Sequence, residues 1–109
     1  MSQRTEQVAA LLQQAVNEIL VRDFESPKGC LVTINRVEVT PDLKHAKVMV
    51  SVLPENVSGT ALSALRKQSG HVQWNLRRKL SMKFVPQISW EYDETNIKLD
   101  RIDQALRNS

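Results

Sequence analysis

The sequence predicts an α+β fold in the order α-β-β-α-α-β, a three-stranded sheet with helices packed on one face. Three observations carry that prediction. Apolar residues at helical spacing open the chain, apolar residues at every second position fill its middle, and a second helical pattern, interrupted by one glycine, precedes a last alternating run.

Val8, Leu11, Leu12, Ala15, Val16, Ile19 and Leu20 fall on one stripe of a first helix. It should fade near Asp23, because Ser26-Pro27 disfavours helical geometry and Gly29 follows. From Leu31 to Thr40, Val32 and Ile34 alternate in one phase and Val37 and Val39 in the other. A regular strand would send two of them to the wrong face, so a bulge near Asn35-Arg36 is expected. Thr40-Pro41-Asp42 reads as a turn, and Ala46, Val48, Val50 and Val52 then alternate with His45, Lys47, Met49 and Ser51, completing an antiparallel hairpin.

Pro54 closes the second strand, and Ser58 or Thr60 can cap a helix that carries Ala61, Leu62, Ala64 and Leu65. After Gly70, Val72, Leu76 and Leu80 form a stripe that Phe84 extends, and the helix must end before Pro86. Ile88, Trp90 and Tyr92 alternate as a third strand. A weaker helical pattern in Leu99, Ile102 and Leu106, with Thr95 as its cap, marks a short and loosely held C-terminal tail from about residue 95. With 109 residues, residues 1–109 are expected to form one domain around one core.

Composition excludes several classes of function. At 41% hydrophobic and 25% charged residues the chain is globular in character. No apolar run approaches the ~20 residues of a membrane span, and Met1 to Ala10 lacks the pattern of a secretory signal. A soluble cytoplasmic protein is expected. Cys30 stands alone, so no internal disulfide can form, and it reads as a small residue at a strand entrance rather than as a reactive thiol. With only His45 and His71 beside it, no zinc site of familiar spacing arises. Three scattered glycines make no phosphate-cradling loop, so no cofactor is expected.

Enzyme chemistry finds no foothold either. Asp93 and Glu94 are adjacent, and adjacent side chains in a strand diverge rather than form an acid/base pair. Their expected role is to end the third strand. No Ser or Cys has an assignable base.

Between Arg66 and Lys83 the chain holds six Lys/Arg and no Asp or Glu, although its net charge is only +3. Such local excess makes one strongly positive face, for which a polyanion is the natural partner. Lys67, His71, Trp74 and Arg78 share one side of the helices, with Gln73 and Arg77 alongside, away from the Val72, Leu76, Leu80 stripe. Cations at helical intervals can reach successive phosphates, and about five contacts would give a salt slope of roughly −4 to −5. Trp74 can stack on a base if it faces outward, or pack beneath the first helix or the tail. A solvated helix face and an acidic protein partner are alternative explanations of the same charges. His71 reads as a polar surface residue rather than a catalyst.

These residues resemble a known family, bacterial ribosome-binding factor A. Val37-Glu38-Val39-Thr40-Pro41-Asp42-Leu43, continued by Ala46-Lys47-Val48-Met49-Val50-Ser51, is similar to that family's hairpin. The likeness runs on through Ser69-Gly70, Leu80 and Pro86 to Tyr92-Asp93-Glu94-Thr95. It implies a KH-like fold of type II topology with an Ala-x-Gly kink between two helices, here Gln68-Ser69-Gly70. Three departures stand out. Gln73 replaces a residue that is often basic, Asn75 one that tends to be apolar, and Ser26-Pro27-Lys28 an Asp-Pro-Arg pattern. The charged C-terminal extension of many members has no counterpart before Ser109.

The resemblance implies a non-enzymatic factor that binds the immature small (30S) ribosomal subunit and its 16S rRNA in the neck and decoding region. It further implies support of 5′-end processing of the precursor RNA, release before translation, and greatest need in the cold. Other assembly factors such as a GTPase are implied partners, and a monomer is expected. Arg66, Lys67, His71, Trp74, Arg77, Arg78, Lys79 and Lys83 are the candidate RNA-binding residues, Ser69 and Gly70 the kink, and Arg4 and Lys28 a possible extension of the positive surface. A general single-stranded RNA or DNA module and a protein-interaction domain for an acidic partner remain as alternatives from other classes.

Overall fold

The computed structural model describes residues 3–27 and 29–94. Lys28 and the C-terminal pattern with its Thr95 cap lie outside the described residues. Helix α1 spans Gln3–Asp23 and buries Val8, Leu12, Ala15, Val16 and Ile19. Leu11, expected on that stripe, is exposed: the buried stripe is narrower than the apolar one. Cys30 is half-buried just before the first strand.

Strands β1 (Leu31–Val39) and β2 (His45–Leu53) pair antiparallel. Ile34 lies opposite Val50 and Arg36 opposite Met49, so Asn35 is the extra residue of a bulge. The bulge turns Val37 and Val39 onto the same buried face as Ile34, the outcome demanded by the change of phase in the sequence. In the turn, Leu43 adopts a positive φ of 60°. The Asp42 carboxylate accepts from the Thr40 hydroxyl at 2.6 Å and the Lys44 amide at 3.0 Å, which hold it below its ordinary pKa.

Strand β3 (Gln87–Tyr92) lies parallel to β2, giving the order β1-β2-β3. A parallel neighbour needs a crossover, and the two helices between β2 and β3 supply it. Ala46, Val48, Val50 and Val52 of β2 join Ile88 and Trp90 of β3 beneath the helices. Lys47 and Glu91 pair at 3.1 Å on the opposite face. Asp93 ends β3 as expected and is buried. It accepts from Asn35 at 3.1 Å and pairs with Arg36 at 3.2 Å, tying the strand's end to the β1 bulge.

Helix α2 (Ser58–Lys67) buries Ala61 and Leu65. Neither Ser58 nor Thr60 caps it. Ser58 is already its first residue, because the 3₁₀ turn Glu55–Val57 delivers the chain into the helix with backbone bonds alone. Helix α3 (Ser69–Lys79) buries Val72 and Leu76. It stops at Leu80, whose ψ of 132° is extended. Phe84 therefore does not prolong the apolar stripe and is 77% exposed. No helix among the described residues is long and apolar enough to cross a membrane.

Candidate nucleic-acid interface

The break between α2 and α3 falls at Gln68, with φ −95° and ψ 3°, rather than at Gly70. Gly70 has a helical backbone, and a Cβ built there meets nothing within 4 Å. Neither the backbone nor the space at Gly70 requires a glycine. Gln68 secures the kink by reaching the segment after α1: its Nε2 donates to the Glu25 carbonyl at 3.2 Å, and the Glu25 amide donates to its Oε1 at 3.4 Å. An alanine at this position could not make either bond.

Position 73 corrects the expected outer face. Gln73 is 4% exposed and lies under the chain leading to β3. Its Nε2 donates to the Pro86 carbonyl at 3.0 Å and the Ile88 amide donates to its Oε1 at 2.9 Å. The side chain satisfies two backbone groups on the free edge of β3, where β2 cannot reach them. Gln73 is thus an internal fastener, and its neutrality removes no charge from the surface.

Two of the candidate residues are engaged by α1. Lys79 forms an ion pair with Glu18, and the ammonium holds that carboxyl below its ordinary pKa. His71 Nε2 lies 3.4 Å from Asp23 Oδ2 and 3.1 Å from Asn75 Nδ2. Asn75 Oδ1 in turn accepts from Arg22 at 3.5 Å. These contacts step in opposite directions along the two helices, so α3 runs antiparallel to α1. His71, Asn75 and Lys79 form its seam with α1, at the fourfold spacing of one helix face. A polar Asn75, itself half-buried, suits this seam between the exposed His71 and Lys79.

What remains outward lies along α3 and at the end of α2. Trp74 is 52% exposed, and the Arg78 guanidinium sits 4.7 Å from its ring centroid. The indole thus faces solvent, and its cation lies over it as the i, i+4 spacing allowed. Arg77 is exposed on the same helix, and Arg66 and Lys67 are exposed at the end of α2. Among the described residues none of Arg66, Lys67, Arg77 and Arg78 has a carboxylate partner. Arg66 donates to the Trp90 carbonyl at 3.4 Å. Lys67 and Gln68 line a shallow groove with Gly59, Thr60, Ser63 and Ala64, small enough for a backbone to approach closely.

Lys83 lies off the helix, in the connection to β3, with its ammonium 5.7 Å from the Phe84 ring centroid. The sequence places Phe84 on the apolar stripe because its distance of four from Leu80 imitates one. It shows Gln68 and Gln73 only as part of the kink and of the outer face, because an isolated glutamine carries no periodic signal. Among the described residues no group of three or more His, Cys, Asp or Glu could hold a metal ion.

A two-helix crossover joining β2 to a parallel β3, after an N-terminal helix and an antiparallel hairpin, defines a KH-like α+β domain of type II topology. The chain belongs to the ribosome-binding factor A family, whose sequence model matches residues 4–106. Ribosome-binding factor A of Protochlamydia amoebophila is 31% identical over 106 residues, covering 95% of this chain and 81% of that protein. The solution structure of a Thermotoga maritima protein assigned to ribosome-binding factor A superposes with a TM-score of 0.70 at 27% identity, over 87% of this chain and 92% of that one. A homology model of the Thermus thermophilus factor, fitted into the electron-cryomicroscopy map of its complex with the 30S subunit, superposes with a TM-score of 0.67 at 25% identity, over 78% of this chain and 90% of that one.

Proposed function

We propose that this chain is a non-enzymatic assembly factor that binds the small ribosomal subunit through 16S rRNA. It acts on the immature particle in the cytoplasm, assists late maturation including 5′-end processing of the precursor RNA, and leaves before translation. Residues 1–109 act as one RNA-binding domain, monomeric, with the stretch from about 95 as its tail. A GTPase or another assembly factor is the expected partner in release, and the demand is greatest in the cold.

The observation that carries this role is the outward face of α2 and α3, where the Trp74–Arg78 stack stands among cations without acidic partners. Arg66, Lys67, Arg77 and Arg78 grip phosphates, and the stacked indole and guanidinium offer a planar surface to an unpaired base. Lys83 adds a fifth phosphate contact, Lys79 reinforces the field from the seam with α1, and His71 offers a polar contact beside it. At about 0.7 per contact for single strands and 0.9 for a duplex, five contacts give a salt slope of about −3.5 to −4.5, which is shallower than the roughly −4 to −5 expected above. Membership of a family with a relative fitted on the 30S subunit directs the choice of polyanion to ribosomal RNA.

The test is co-sedimentation with mature and immature small subunits across a salt series, comparing the native chain with Arg77→Glu/Arg78→Glu. The native chain should prefer the immature particle, and the double variant should lose binding while keeping its fold. Equal affinity for particles and free oligonucleotides would instead mark a general single-stranded RNA-binding module. Unchanged particle binding by the folded double variant would overturn the role of this face.

A further inference from the structure

The exposed Phe84 belongs to a surface distinct from the helix pair. The start of α1, the β1–β2 turn and the connection before β3 meet around a groove of about 680 Å³, within the range of small-ligand sites. Arg4, Leu43, Lys44, Met82, Lys83 and Phe84 line it. Leu43 and Met82 are half-buried against the core and make an apolar floor, while the Phe84 ring is open to solvent and Arg4, Lys44 and Lys83 are exposed. Among the described lining residues Asp42 is the one carboxylate, and the turn already engages it through the Thr40 hydroxyl and the Lys44 amide. An apolar slot with an open aromatic ring and three cations matches the two halves of a nucleotide, a flat base and a phosphate.

We infer that this groove is a second RNA subsite, which receives one unstacked nucleotide with its base on Phe84 and its phosphate among Arg4, Lys44 and Lys83. The inference rests on the RNA-binding role proposed above. Continuity with the helix face favours RNA over an acidic peptide. Lys83 follows Lys79 by four residues, a reach of at most about 14 Å, so one strand can pass from the end of α3 into the groove. An acidic peptide would use the cations and leave the ring without a stacking partner.

The experiment measures affinity for isolated small subunits over a salt series. Phe84 is largely exposed, so Phe84→Leu should fold, which circular dichroism and the urea midpoint verify. Its affinity should drop by about five- to 150-fold with the salt slope unchanged, because a stacking contact and no phosphate contact is removed. Phe84→Trp should restore binding, and Lys44→Gln/Lys83→Gln should flatten the slope by about 1.4 to 1.8. Ultraviolet irradiation of the native complex should leave a nucleotide on the tryptic peptide that begins at Phe84. Binding by Phe84→Leu within twofold of native, in a series where Arg77→Glu/Arg78→Glu is impaired, overturns the subsite and leaves the helix-face role standing. Absence of native binding to subunits removes that role, and the subsite with it. Cross-linking of the Phe84 peptide to a ribosomal protein in place of a nucleotide also overturns it.

Discussion

Replacing Gln73 with Met keeps the length and most of the volume of the side chain and deletes only its amide. Two backbone groups, the Pro86 carbonyl and the Ile88 amide, then lose partners at 3.0 and 2.9 Å. Both lie where Gln73 is buried, and water reaches such groups poorly. Each unsatisfied buried group costs about 1–3 kcal/mol, and the apolar thioether recovers part of that, so the net loss should be about 2–4 kcal/mol. Against a total stability of about 5–15 kcal/mol for a domain of this size, that is a large share. The melting temperature should fall by roughly 8–32 °C, taking about 4–8 °C per kcal/mol. Urea unfolding can be followed by tryptophan fluorescence, since Trp90 is buried on the strand that Gln73 fastens. A midpoint shift with an unchanged m-value isolates stability from any change in compactness. A loss below about 0.5 kcal/mol, the ordinary range of a surface substitution, would refute the idea that Gln73 holds β3 in place.

Three further outcomes follow from the same geometry. Gly70→Ala should stabilise the fold by about 0.5 kcal/mol in urea unfolding, because the residue is helical and its added methyl meets no neighbour; destabilisation would restore the glycine as the kink's necessary element. Glu18→Gln should release Lys79 to a polyanion, tightening small-subunit binding by about two- to fivefold at low salt and steepening the salt slope by about 0.7–0.9. Asp42 has a folded pKa below its ordinary value of 3.8, set first by the Thr40 hydroxyl and then by the Lys44 amide. Its contribution is therefore present above that value and disappears as pH falls through the depressed folded one. Asp42→Asn should remove this part of the acid sensitivity, seen as a shallower fall of the urea midpoint between about pH 5 and pH 2.

Much of the architecture was legible in the chain because periodicity reports which side of each element is buried. The stripe from Val8 to Ile19 specified α1, and Asp23 ended it as Ser26-Pro27 required. The change of phase between Ile34 and Val37 specified the bulge at Asn35, since only one extra residue could return both valines to the core. The charge cluster and the shared side of Trp74 and Arg78 were equally plain, being matters of spacing along one helix, whereas the stack of guanidinium on indole emerged only in the structure. Where the periodic signal was extended too far, it failed: Phe84 continued a stripe on paper after α3 had ended at Lys79.

The sequence by itself therefore determined the elements, their buried faces, and the existence of a positive surface. Only the tertiary structure decided how those faces meet. That β3 would lie parallel to β2, that Gln73 would turn inward to its free edge, and that Glu18 and Asp23 would claim Lys79 and His71 all depend on residues far apart in the chain. The same holds for the groove that unites Arg4, Lys44 and Phe84. Local spacing fixes the angle at which a side chain leaves its own helix or strand. The hydrogen bond or ion it meets there belongs to another element, and packing alone brings that element into place.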